Sequence, residues 1–239
     1  MNSFEYLGKK SSDFGLRIEE GISFDSPETD LEFVEIKGRD GDVPIDNKRL
    51  KSVNKSFPVT LFPLSGKKLI DQATDISNWL KSNKSHTTLT VANEPLYSYL
   101  ALYYEQYNIS QFLRYYGRAV LNFKIMPYKF LKTGLNQINL GSTITNPTQR
   151  QARPKITIKG TGNITLRIGQ STWTLRNVDQ GIVIDTLLDT VTSLDGQRPA
   201  WDKITTYPLP RINPGQNNVT VTGSVTEIKI IPRWEVIVG

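Results

Sequence analysis

The chain has 239 residues, 38% of them hydrophobic and 22% charged, with no cysteine, a single histidine and a formal net charge of +6. Such a composition suits one large or two ordinary globular domains, and it excludes a disulfide framework, thiolate metal sites and wholesale disorder. No run approaches the ~20 consecutive apolar residues that cross a bilayer as a helix, so membrane insertion is not expected.

In chain order, the opening Met1-Asn2-Ser3-Phe4-Glu5-Tyr6 lacks the basic-then-apolar pattern of a secretory signal, so synthesis in the cytoplasm is expected. Glu32–Ile36 reads as a strand. After it, Gly38-Arg39-Asp40-Gly41-Asp42 leads into a polar stretch through Lys51, and its glycines supply the positive φ angles of a turn. This reads as the tip of a protruding hairpin or arm. Phe57–Phe62 is a strand candidate, followed by a helix in which Leu69, Ala73, Ile76 and Leu80 share one face, Ser65 is the expected cap and Asn83 the expected stop. Strands are then predicted over Thr87–Val91, Tyr97–Tyr107 and Ala119–Met126.

Between Pro127 and Gly141 the texture changes, with Gly134, Asn136 and Asn139 replacing aromatics. The domain boundary is placed near Lys132, giving domains 1–132 and 133–239. The second domain is punctuated by Gly, Pro and Asn into short runs: Lys155–Lys159, Asn163–Ile168, Ser171–Leu175, Gly181–Asp185, Asn218–Thr222, and Glu227–Ile231 running into Trp234–Val238. Their Thr/Ile alternation, without helical periodicity, indicates a β-sandwich with one buried and one wet face. The fold class is therefore mainly β with one helix in the first domain (α+β).

The positive excess is thin: net +2 over residues 1–133 and +4 over the rest. Its densest spot is Arg150, Arg153, Lys155 and Lys159, of which the last three would share a strand face. Interleaved acids make this a solvated face rather than a phosphate grip, so direct nucleic-acid readout is not expected. His86 has neither a cysteine nor a second histidine to act with. Ser52-Val53-Asn54-Lys55 and Lys132-Thr133-Gly134 match two of three penicillin-binding signatures, but the middle one is missing, and Ser52 lies in an extended stretch instead of a buried helix. Asp40, Asp42 and Asp46 fail the calcium-loop spacing because Pro44 interrupts them. Glu227, Glu235, Asp179, Asp185, Asp189, Asp195 and Asp202 show no paired spacing of a glycosidase. Tyr97, Tyr99 and Tyr103, with Tyr104, Tyr107, Tyr115 and Tyr116 nearby, resemble a stacking platform, but no basic residue is interleaved before Arg114, which favours core or interface. No catalytic, cofactor or metal residue emerges, and the chain is read as a non-enzyme.

One ordered series of segments carries a family resemblance. It comprises Asn146-Pro147, Arg153-Pro154-Lys155-Ile156-Thr157-Ile158-Lys159-Gly160, Gly181-Ile182-Val183-Ile184-Asp185, Tyr207-Pro208-Leu209-Pro210-Arg211 and Ile230-Ile231-Pro232-Arg233-Trp234. With Gly38-Arg39-Asp40-Gly41 and Phe123-Lys124-Ile125-Met126-Pro127-Tyr128 in the first domain, the chain resembles the distal tail protein (Dit) family of long-tailed, non-contractile bacteriophages. The resemblance implies an N-terminal ring-forming domain, usually hexameric, followed by a galectin-like β-sandwich. It implies a hub in the virion tail tip or baseplate that joins the major tail tube protein to the tail-associated hub protein and receptor-binding proteins. DNA would pass through the channel without specific recognition, and no cofactor is implied.

A closed ring needs two different complementary patches on each subunit. The charge-mixed arm is the expected first patch, with Arg39, Asp40, Asp42, Lys48 and Arg49 as subunit-interface candidates. The alternative function is a carbohydrate- or receptor-binding module, for which Trp173, Trp201 and Trp234 are the candidate stacking residues, Trp234 being expected to pack instead. The sandwich has no histidine, which galectins use in their sugar site, and so reads as a protein-docking platform.

Overall fold

The computed structural model describes residues 3–19, 25–112 and 116–239, the side chains of 110–112 excepted. The described chain is mainly β with one α-helix, and it divides into two compact units. The first comprises Met1–Lys129 and Ile237–Gly239; the second is Phe130–Val236.

The first unit contains β1 (Phe4–Tyr6), β2 (Lys9–Lys10), β3 (Leu16–Ile18), β4 (Thr29–Val34), β5 (Val43–Leu50), β6 (Val53–Leu61), α1 (Leu69–Leu80), β7 (Thr87–Val91), β8 (Tyr97–Leu102), β9 (Ser110–Phe112) and β10 (Tyr116–Leu131). Its main sheet runs in the order β2-β1-β7-β8-β10-β6-β3, with β9 against β10. Period-two burial makes the sheet one-sided. Val53, Phe57, Val59 and Leu61 of β6 and Leu121, Phe123 and Ile125 of β10 all face the core.

Helix α1 covers that core with Ile76, Trp79 and Leu80, each buried side chain contributing about 2 kcal/mol. Trp79 stacks on Phe14 at 4.3 Å and on Phe4 at 5.7 Å, and its indole N–H donates to the Tyr6 carbonyl at 3.0 Å. The expected Ser65 cap is not used. The helix starts at Leu69, its N-cap position is Lys68 with no side-chain cap, and Lys81 is its C-cap, short of Asn83.

The entry is fixed instead by Gln72, buried on the helix. Its amide nitrogen donates to the Phe14 and Phe62 carbonyls at 2.7 and 2.8 Å, and its oxygen accepts from Leu64 N–H at 3.1 Å. Gly15 makes this approach possible: at φ +72°, a Cβ there would lie 2.3 Å from the Phe62 carbonyl oxygen.

The second unit contains β11 (Ile138–Asn139), β12 (Thr143–Asn146), β13 (Lys155–Ile168), β14 (Ser171–Val178), β15 (Gly181–Asp185), β16 (Thr190–Ser193) and β17 (Gly215–Ile231); β18 (Glu235–Ile237) carries the chain back into the first unit. Four of the short runs expected here are halves of two long strands. β13 and β17 pair along their length, with register shifts between Lys159 and Gly160 and between Thr161 and Thr165.

On one side of the shifts β13 pairs with β15, and on the other with β14. Likewise β17 pairs with β11 near one end and β12 near the other. Two layers thus share the same two bent strands. Ile156, Ile158 and Ile230 from one layer pack in a single core with Ile164, Leu166 and Trp173 from the other.

The bend depends on glycine. A Cβ on Gly160 would meet the Ser224 carbonyl oxygen at 2.4 Å, and Gly223 has φ +107° with its would-be Cβ 2.3 Å from the Asn163 carbonyl oxygen.

Candidate functional site

Strands β4 and β5 form a two-stranded sheet of their own, apart from the main sheet of the first unit. The stretch expected to be a polar loop through Lys51 is therefore mostly strand, and Gly38 and Gly41, at φ +81° and +76°, lie in the turn between. Leu31 opposes Asp46, Glu32 opposes Ile45, Phe33 opposes Pro44 and Val34 opposes Val43, so apolar residues lie on both faces. Phe33, Ile36 and Ile45 are 64%, 45% and 47% exposed. A lone hairpin is marginally stable in water, and large apolar side chains on both its faces call for a covering surface.

The five interface candidates all lie exposed on this arm, in two groups. Arg39, Asp40 and Asp42 occupy the tip. Arg49 is held by an ion pair with Asp30 (Nε–Oδ2 2.5 Å), whose hydrogen bond holds the Asp30 carboxyl below its ordinary pKa. Lys48 sits at φ +56° beside it, its N–H donating to Asp46 Oδ1 at 2.7 Å. Lys51 pairs with Glu28 at 3.0 Å at the base. The base charges thus rigidify the arm, and the tip charges point into solvent.

The carboxylates considered for catalysis are mostly engaged in structural pairs. Glu235, 2% exposed, receives a forked pair of hydrogen bonds from Arg153 at 2.6 and 3.0 Å. Asp185 is gripped by Arg233 at 2.5 and 2.8 Å and accepts the Leu187 and Leu188 N–H groups. Burial pushes the Asp185 carboxyl up, but Arg233 outweighs it and the pKa lies below the ordinary value. Glu227 bridges Lys159 and Lys229, whose hydrogen bonds pull it down to about 2. Asp195 closes a turn with Ser193 and Gln197, and Asp202 pairs with Lys203 at 3.1 Å. Among the described residues no group of three His, Asp or Glu side chains could hold a metal ion.

The penicillin-binding strings dissolve too. Ser52 is exposed between β5 and β6, Lys55 is buried in the first unit, and Lys132–Leu135 is a short 3-10 turn of the second. Gly134 there packs so closely that a Cβ would lie 2.6 Å from the Trp234 ring. His86 is exposed, and partial desolvation, with Lys124 nearby, lowers its pKa.

Lys55 belongs to a buried polar cluster that sequence reading missed. Glu94 accepts from Lys129 at 2.9 Å and Tyr99 OH at 2.5 Å, and lies 3.7 Å from Lys55 Nζ. Lys55 and Lys129 lie 5.2 and 5.9 Å from the Tyr99 ring centre. Burial pulls Lys55 down, against Glu94; burial pushes Glu94 up, but Tyr99 and the two ammonium groups bring it net below its ordinary value. Period two on β6 was the available signal, since Lys55 falls on the same face as Val53 and Phe57.

The tyrosines are mainly core. Tyr99 and Tyr103 are buried, and the strand expected to reach Tyr107 ends at Leu102. Tyr104 is exposed, Tyr97, Tyr107 and Tyr116 are half-buried, and Tyr115, like Arg114, lies outside the described residues. Of the three candidate stacking tryptophans, Trp173 is fully buried and Trp234 is 6% exposed, so neither can receive a ligand. Trp201 is 38% exposed and meets Tyr207 edge-to-face at 6.1 Å. Beside this pair, Tyr207, Asp189 and Arg211 help line an open groove of about 710 Å³ in the second unit.

No protein-family model matches the chain, and no curated protein matches it by sequence. Among solved structures, the Dit protein of phage SPP1, described as a paradigm of the hub of the adsorption apparatus in phages infecting Gram-positive bacteria, matches with a TM-score of 0.70 and 13% identity over 96% of this chain and 97% of that one. A chain of the phage p2 baseplate in its activated conformation with Sr matches with a TM-score of 0.52 and 12% identity over 96% and 97%. The protein thus has the fold of a Dit protein across nearly its entire length.

Proposed function

We propose that this chain is a distal tail protein, a structural, non-catalytic hub of a phage tail tip or baseplate within the virion. The observation that carries this is the match to the SPP1 Dit protein over nearly all of both chains. An accidental likeness of one sandwich would cover only one unit. The engagement of most candidate carboxylates in ion pairs supports a scaffold role. In this reading the first unit, Met1–Lys129 with Ile237–Gly239, forms a ring, hexameric by analogy, that stacks on the major tail tube protein and leaves a channel through which DNA passes unread. The second unit, Phe130–Val236, forms a galectin-like platform for baseplate and receptor-binding proteins, and the tail-associated hub protein sits at the other end.

The arm is the proposed contact between copies. Phe33, Ile36 and Ile45 supply apolar area for a neighbour to cover, and Arg39, Asp40 and Asp42 supply charges that fix register. Lys48 and Arg49 hold the arm's base for that contact. Light scattering across concentrations tests both levels. A closed species at a fixed multiple of the 27.0 kDa chain is expected, and Phe33→Ser with Arg39→Glu is expected to drive it to monomer without lowering the melting temperature. A closed assembly indifferent to those substitutions would remove the arm from the interface. A strict monomer that also fails to bind tail-tube protein would sink the hub reading.

A further inference from the structure

We propose that the groove beside Tyr207 in the second unit is a saccharide-binding site. Tyr207 stands 73% exposed at the groove and is braced by Trp201, itself 38% exposed, at an interplanar angle of 68°. Two large aromatic rings paired at the surface bury little and stabilise the fold little, so the arrangement calls for a ligand with an apolar face.

The rest of the lining mixes Leu187, Pro208, Leu209 and Pro210 with a larger set of polar side chains. Gln151, Gln170, Asp189 and Arg211 are exposed around the groove. Gln151 donates its amide to Asn213 at 2.8 Å, which leaves its oxygen as an acceptor. Among the described residues, the side chains of Gln170, Asp189 and Arg211 have no hydrogen-bond or ion-pair partner. The groove therefore offers a carboxylate that only accepts, a guanidinium that only donates, and amides that do both.

A pyranose matches this combination: one C–H face stacks on an aromatic ring while the hydroxyls at the ring edge each donate and accept. A lipid or a flat apolar cofactor would leave those polar groups unpaired, and a polyanion would meet the Asp189 carboxylate in the lining. The Trp173 route to a sugar is closed by burial, so Tyr207 with Trp201 is the one aromatic platform the unit presents among its described residues. The proposal stands independently of the hub reading, because assembly of a tail hub does not depend on a glycan contact.

The test applies the intact chain to an array of bacterial cell-wall and capsular saccharides, followed by calorimetric titration of the best hit. Millimolar or tighter binding is expected. Tyr207→Ala should weaken it by about tenfold or more, as loss of a stacking ring does, with Tyr207→Trp retaining it. Asp189→Asn should also weaken it at unchanged melting temperature. No saccharide bound at millimolar concentration, binding indifferent to Tyr207→Ala, or occupation of the groove by a partner's peptide segment would each overturn the proposal. Tyr207 is too exposed for its loss to act by unfolding the unit.

Discussion

At the scale of residues, the chain's least expected group is Glu94, one carboxylate shared by two lysines and a tyrosine in the interior of the first unit. Burying charge is costly, and removing one partner leaves the others stranded. Glu94 has a folded-state pKa below its ordinary value, so its contribution is present above the unfolded-state pKa and fades as pH falls through the folded one. Chemical denaturation from pH 7 downward should show stability declining below about pH 4.5, the ordinary glutamate range. Glu94→Gln should cost about 3 kcal/mol at neutral pH and flatten that decline. An unchanged slope in the variant would show that other carboxylates set the acid limit.

At the scale of elements, the bent strands of the sandwich are the least tolerant feature. Gly223→Ala places a Cβ where φ is +107° and the Asn163 carbonyl oxygen is 2.3 Å away. We expect a loss of at least about 1 kcal/mol, read as a lower melting temperature, whereas Thr222→Ala next to it, exposed on the strand, should be near neutral. Equal effects would mean that the bend does not depend on glycine.

The same glycines show where sequence reading stops. Thr87–Val91 and Gly181–Asp185 were legible to the residue, because alternating β-branched runs end at clear punctuation. Gly160 and Gly162 look like punctuation as well, yet they bend a single strand that continues on both sides. The helix was legible from its apolar period, but its start was not, since Gln72 fixes it through carbonyls at positions 14 and 62. The Arg153–Glu235 and Arg233–Asp185 pairs join residues far apart in sequence, and no local pattern announces them. The arm's tip could be read from its glycines. The groove could not, because its lining comes from several loops.

At the scale of the whole molecule, the first unit depends on residues at the far end of the chain. Val238 is 3% exposed in the core with Phe4 and Phe57, its N–H donates to the Pro127 carbonyl at 3.1 Å, and Lys129 reaches the Gly239 carbonyl at 3.2 Å. Val238→Asp should bury an unpaired carboxylate there and cost about 3 kcal/mol. Hydrogen exchange should report faster amides at Leu121, Phe123 and Ile125, while β13 and β17 keep their protection. Loss of protection confined to the second unit would contradict the assignment of Val238 to the first core.

This connectivity also sets a timetable on the ribosome. Domains usually fold in the order in which they emerge. Here all of Phe130–Val236 is synthesised before Ile237–Gly239, the last piece of the first unit. The sandwich is complete in sequence while the other core still lacks Val238, so the nascent first unit waits with its valine socket open until Ile237–Gly239 has been made. If the ring forms as proposed, that delay keeps subunits from closing around one another before each has its sandwich in place.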